Sequence, residues 1–196
     1  MQAISRFKKI SIAAAAIVSA ALIPATSFAA PSPLNSNAPT VALNGTLSES
    51  LTVSATVATV NFTLVPGSTV NGSAAIPITT TWILLPSRTS VQLYGYFASS
   101  AAALTDGYTA PDNIPSSAVL GQVPTGTPTS YTAFSQTATG FGAASASLLL
   151  YTQAIALASH NFVGTRTDNL SLEIATPATL PAGTYTGTLT LQAQAI

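Results

Sequence analysis

An all-β antiparallel sandwich of about 8–10 short strands is the fold this sequence predicts. Three observations carry that expectation. Apolar and hydroxyl-bearing residues alternate with period two through much of the chain. Glycine and proline clusters punctuate the alternating runs. Sustained helical periodicity is missing, while threonine and valine are abundant, as pleated surfaces favour.

The end of the chain is the clearest strand. From Thr184 to Ile196, Tyr185, Gly187, Leu189, Leu191, Ala193 and Ala195 share one face. Threonine and glutamine occupy the other, so one face should be buried. Leu170, Leu172 and Ile174 repeat the pattern against Ser171 and Glu173. Upstream, Leu51, Val53, Ala55 and Val57 alternate with Thr52, Ser54 and Thr56, and Val60, Phe62 and Leu64 continue in the same way. Ile76, Ile78, Thr80, Trp82 and Leu84 form the next inward row. Pro86-Ser87-Arg88 reads as a hairpin turn into Val91, Leu93, Gly95 and Phe97. Ala118 to Val123, Ser130 to Phe134 and Ser147 to Ile155 complete the strands. Ala98 to Leu104 is alanine-rich and predicts a short helix. The loops should concentrate between Thr105 and Thr139.

The N-terminus reads as a secretory signal peptide over residues 1–29. Arg6, Lys8 and Lys9 precede an apolar run from Ile10 to Ile23, and cleavage is expected between Ala29 and Ala30. That run gives about 21 Å of helix, short of the roughly 30 Å hydrocarbon core, so no stable membrane span is expected after cleavage. Residues 30–39 form a flexible polar leader and residues 40–196 a single domain. The expected location is periplasmic, cell-surface or extracellular.

Cleavage removes three of the five basic residues. The remaining chain has Arg88 and Arg166 against Glu49, Asp106, Asp112, Asp168 and Glu173, a net charge of −3 with His160 neutral. About 4% of it is charged, where ordinary domains carry about 25%. A weakly acidic chain without a basic patch does not suit nucleic acid. Without cysteine there is no disulfide framework or thiolate chemistry. No cofactor and no enzymatic activity are expected.

The remaining candidate sites are few. Trp82, Tyr94 and Tyr96 offer an aromatic platform for a polysaccharide, although Trp82 falls in an inward row. Asp106, Asp112 and Asn113 supply oxygen ligands of the kind calcium takes, and turn formation explains them as well. His160 with Asp168 and a serine would be a hydrolytic triad, but no serine sits in a nucleophile-elbow motif. Arg166 and Asp168 read as a solvated pair before a strand.

Pro181-Ala182-Gly183-Thr184-Tyr185 introduces the last strand, and Ser90 to Phe97 (SVQLYGYF) is a tyrosine-bearing strand. In both, with its signal peptide and polar leader, the chain resembles bacterial fimbrial and surface subunits of the spore-coat-U, chaperone-usher type. Those subunits usually carry cysteines, and this chain has none. The resemblance implies an immunoglobulin-like or pilin-like sandwich and a structural or adhesive role. It also implies donor-strand exchange, in which a neighbour's Thr40 to Leu47 completes the sandwich. The expected partners are copies of the chain or other surface proteins. A secreted carbohydrate-binding module is the alternative, and a secreted hydrolase a distant third.

Overall fold

The computed structural model describes residues 34–135 and 147–196. The expected signal peptide, with Ala29 and Ala30, lies outside the described residues. Residues 1–44 and Gly45–Ile196 separate as two units. In the first, residues 34–44 are exposed and form no strand.

The second unit is an all-β sandwich of antiparallel sheets. Its strands are β1 (Ser50–Ala55), β2 (Thr69–Asn71), β3 (Ile76–Ile83), β4 (Ser90–Phe97), β5 (Leu104–Thr105) and β6 (Asn113–Ile114). They continue with β7 (Val119–Gln122), β8 (Thr132–Ala133), β9 (Leu148–Ala154), β10 (Val163–Ala175) and β11 (Leu189–Ala195). One sheet runs β1-β3-β10-β7-β8, with β2 added beside β10. The other runs β11-β4-β9, and β5 pairs β6 in a small hairpin. The core lies between the two larger sheets. Ile78, Trp82, Leu170 and Ile174 of the first meet Val91, Leu93, Phe97 and Leu150 of the second. Phe134 fills the remaining space edge-on to Phe97, with ring centroids 5.3 Å apart. Gly95 and Gly121 make room for it, because a Cβ at either would come within 3.0 Å of the Phe134 ring.

Two local expectations are corrected. Pro86-Ser87-Arg88 does not close a hairpin, since β3 and β4 belong to different sheets. Their apolar rows face each other across the core, so the connection is an arch. An arch and a hairpin leave the same alternation in sequence. Ala98 to Leu104 is not helical. Ala103 is buried and its N–H donates to the Ile114 carbonyl, while the Ser116 N–H donates to that of Ser100. These long-range bonds override a small alanine preference.

β10 is longer than the sequence suggests. Its first half carries polar or minimal residues on the inward face, namely Gly164, Arg166 and Asp168. Gly164 lies under Trp82, where a Cβ would sit 2.6 Å from the ring. Arg166 and Asp168 are not a solvated pair. Asp168 is 3% exposed and accepts from Arg166 Nε at 2.7 Å and Thr125 Oγ1 at 2.6 Å. The guanidinium stacks 4.4 Å from the centroid of the Tyr151 ring and reaches Gln153, so it joins β10 to β9 in the opposite sheet.

Candidate functional site

β1 and β11 are edge strands of the two large sheets, and each pairs with one neighbour among the described residues. They border the same side of the sandwich, where their Cα atoms come within 8 Å of one another. Beyond that approach the seam widens into a groove of about 690 Å³. One wall is the stretch Val57 to Leu64; the other runs from Gly183 to Leu191. Phe97, Leu172 and Ile174 form part of its floor, so the groove opens directly onto the core.

Both walls depart from the strands expected of them. Val60, Phe62 and Leu64 do alternate in burial with Asn61 and Thr63, but they belong to no ladder. Among the described residues, the backbone hydrogen bonds of 57–64 are confined to Asn61, which exchanges with Ser73. On the other side the ladder of β11 with β4 begins only at Leu189, opposite Phe97. Residues 184–188 turn away toward β5, with Thr186 bridged to Thr105 through both backbone bonds. Gly187 is needed there, because a Cβ would overlap the Ala103 carbonyl oxygen at 1.9 Å. The groove therefore combines apolar side chains with backbone N–H and C=O groups that lack partners among the described residues. An added extended strand would satisfy both.

The same unit's leader root continues a pattern begun in the first unit. Val41, Leu43, Gly45 and Leu47 fall on one face of an extended chain. Val41 is 81% exposed, Leu43 91% and Leu47 73%. Such an apolar row has the pattern of a strand face, although residues 41–47 form no strand.

The other end of the seam is closed by a clamp. Arg88 donates from Nε and Nη2 to Glu49 at 3.0 and 2.9 Å, and from Nη1 to the Ala195 carbonyl at 3.3 Å. The Leu85 N–H donates to the same carboxylate at 2.9 Å. Under the clamp lies a recess of about 310 Å³, lined by Leu51, Leu84, Ala193 and Ala195 among others. The Arg88 side chain and then the Leu85 N–H hold the Glu49 carboxyl at about 2, against an ordinary 4.5. A depressed carboxyl stabilises the fold above its unfolded value and ceases to do so as pH falls through the folded one. Burial raises the Tyr151 phenol above its usual 10.0, so that group stabilises the fold below about pH 10 and less above it. The melting temperature should thus stay flat from mildly acidic to mildly alkaline pH, then fall on acidification below about 4.5 and above about 10. Thermal denaturation across pH checks this, and a steep change near neutrality would contradict it.

The aromatic candidates separate. Trp82 is 3% exposed in the core, its Nε1 donating to the Asn161 carbonyl at 2.9 Å. Tyr94 and Tyr96 lie on the outer face of β4 and donate to Gln92 and Gln192. Of the three, only the tyrosines share a face.

The calcium candidates occupy the β5–β6 turn. Asp106 Oδ1 accepts from the Tyr108 and Asp112 N–H groups at 3.2 Å each, which is turn formation. Asn113 is in β6. Among the described residues, no group of three or more His, Asp or Glu side chains is placed to share a metal. Burial, followed by the charges of Asp112 and Asp106, raises the phenol of Tyr185 in the groove wall. His160 is exposed in a left-handed loop conformation, whereas Asp168 is buried on Arg166 and Thr125.

The groove is the feature that residue motifs miss. Its signal is an alternating stretch, 57–64, that finds no strand partner. Compared with protein-family models, curated proteins and solved structures, the chain matches none.

Proposed function

We propose that this protein is a non-catalytic, self-associating structural or adhesive subunit of an exported surface assembly. The observation that carries the reading is the groove between the two sheet edges, apolar within and lined in part by backbone groups that lack partners among the described residues. Its occupant is the leader strand Val41 to Leu47 of a second copy. The exposed apolar row on that segment supports this, as does the depletion of charge. Lysines on edge strands commonly block pairing between chains, and the chain after residue 29 has none.

Reach keeps the row Val41 to Leu47 from entering its own chain's groove as a whole, because its last member is held near the clamp. Leu47 is two residues from Glu49, which the clamp anchors at the closed end of the seam. Two extended residues span about 7 Å. The near end of the groove, at Ala55 on one wall and Leu191 on the other, lies roughly 13–20 Å from the clamp. Head-to-tail insertion of this kind is heterologous and open-ended, so it gives filaments or fibres.

Sedimentation of residues 30–196 over a wide concentration range tests the reading. Association that grows with concentration is expected. A strict monomer at the highest concentration would sink it.

A further inference from the structure

We infer that the Glu49–Arg88 clamp sets how deeply an inserted strand penetrates the seam, and so fixes the register of assembly. The inference rests on the strand-acceptor reading. It concerns the end of the seam where no groove exists.

The geometry is specific. A strand paired on both sides holds its two neighbours about 9.5 Å apart, twice the usual 4.7–4.9 Å spacing. At their closest, β1 and β11 stand within 8 Å, too near to admit a strand between them. Arg88 keeps them there. It lies in the arch between β3 and β4, holds Glu49 at the entry to β1 with two bonds, and holds the end of β11 through Ala195. The Thr89 and Ser90 N–H groups fasten the same end by donating to the Ile196 carbonyl.

What lies between the groove and the clamp matters as much. The recess beneath it is lined by Leu51, Leu84, Ala193 and Ala195, so the seam stays apolar past the groove. Without the clamp, an apolar strand could slide further along β11. Its side chains would find similar surroundings one step, or two residues, deeper, because Leu189, Leu191, Ala193 and Ala195 all face inward. That row narrows from leucine to alanine toward the clamp but stays apolar throughout, so no polar group on it halts a sliding strand. The clamp supplies the stop. Glu49 and Arg88 are positioning residues in this account, since neither faces the groove itself.

Cross-linking in the full mature chain tests this, helped by the natural absence of cysteine. Chains carrying Thr46→Cys are mixed with chains carrying Thr188→Cys, Thr190→Cys or Gln192→Cys, and disulfide yields are compared. Thr190 and Gln192 mark increasing depth on the exposed face of β11, and Thr188 lies just before it in the groove wall. With the clamp intact, cross-links form at Thr188→Cys or Thr190→Cys and not at Gln192→Cys. Adding Glu49→Gln to the acceptor chain extends them to Gln192→Cys. Adding Arg88→Lys, which keeps the charge, leaves them largely confined. The circular dichroism and Trp82 fluorescence of each variant establish that the fold is intact. The same pattern with and without Glu49→Gln would overturn the inference while leaving strand insertion standing. Cross-links at no position would overturn strand insertion and the inference with it.

Discussion

Replacing Asp168 with alanine is expected to lower the free energy of unfolding by about 3–5 kcal/mol. The carboxylate is 3% exposed and serves two partners at once, Arg166 and the Thr125 hydroxyl. Its removal leaves a partly buried guanidinium without its counter-charge, stacked on Tyr151 in the opposite sheet. Losing a buried ionic partner costs far more than losing an exposed one. For a domain of this size the melting temperature should drop by roughly 6–20 °C. Chemical denaturation of the single variant measures the loss. Glu173→Ala is a suitable comparison, because this β10 acid alternates with the buried Leu172 and Ile174 and so faces away from the core. A change in Asp168→Ala no larger than in Glu173→Ala would show that the cluster is not a structural tie.

A chain with Val41→Asp and Leu43→Asp should neither insert into a neighbour nor lose its own fold. Burying Val or Leu is worth about 1.5–3 kcal/mol each, and a carboxylate in the groove would instead meet a strong desolvation penalty. Association itself costs 4 kcal/mol or more, by order-of-magnitude estimates, so losing two anchors removes most of the driving force. Both residues are exposed, and the fold of Gly45–Ile196 should be unaffected. The groove of the variant remains intact. It should therefore still accept a wild-type leader, and act as a chain terminator when mixed with wild-type protein. Sedimentation of such mixtures should show progressively shorter assemblies as the variant fraction rises. Assemblies of unchanged length would argue that the leader is not the inserted strand.

Sequence patterning made the inward rows legible and left their partners hidden. Trp82, Val91, Leu93 and Phe97 are buried as period two requires, and Gly95 lies in the same row for the Phe134 ring. The pairing of strands is a long-range property that alternation does not encode. For that reason Pro86-Ser87-Arg88 looked like a hairpin turn, though it is an arch between sheets. The early half of β10 is not legible in the sequence because its inward positions are Gly164, Arg166 and Asp168, which break the apolar rhythm. Each has a local cause: a tryptophan ring overhead at the first, and at the other two a salt bridge within β10 whose guanidinium reaches Tyr151 and Gln153 of the opposite sheet. The alanine run before β5 suggests a helix that does not form, since local preference is weak against tertiary hydrogen bonds.

The groove was half legible. Val60, Phe62 and Leu64 read as a strand, and they do alternate toward the core. Their missing ladder could not be read, because it depends on residues 184–188 leaving the sheet to meet β5. The apolar rhythm of the leader lies in plain view, but its meaning depends on the groove. Low charge, first a reason to expect little chemistry, acquires a structural role. Both arginines of residues 30–196 join elements, Arg166 across the core and Arg88 across the seam.

Amide hydrogen exchange offers the most direct test of the claim that the groove takes a leader strand. The Val41→Asp, Leu43→Asp chain is mixed with a synthetic peptide of residues 40–47, and exchange is followed along the backbone. Protection is expected to rise in 57–64 and in 183–191, the two walls, and to stay unchanged on β9 at the far edge. Exchange that is the same with and without peptide in both walls would contradict the account.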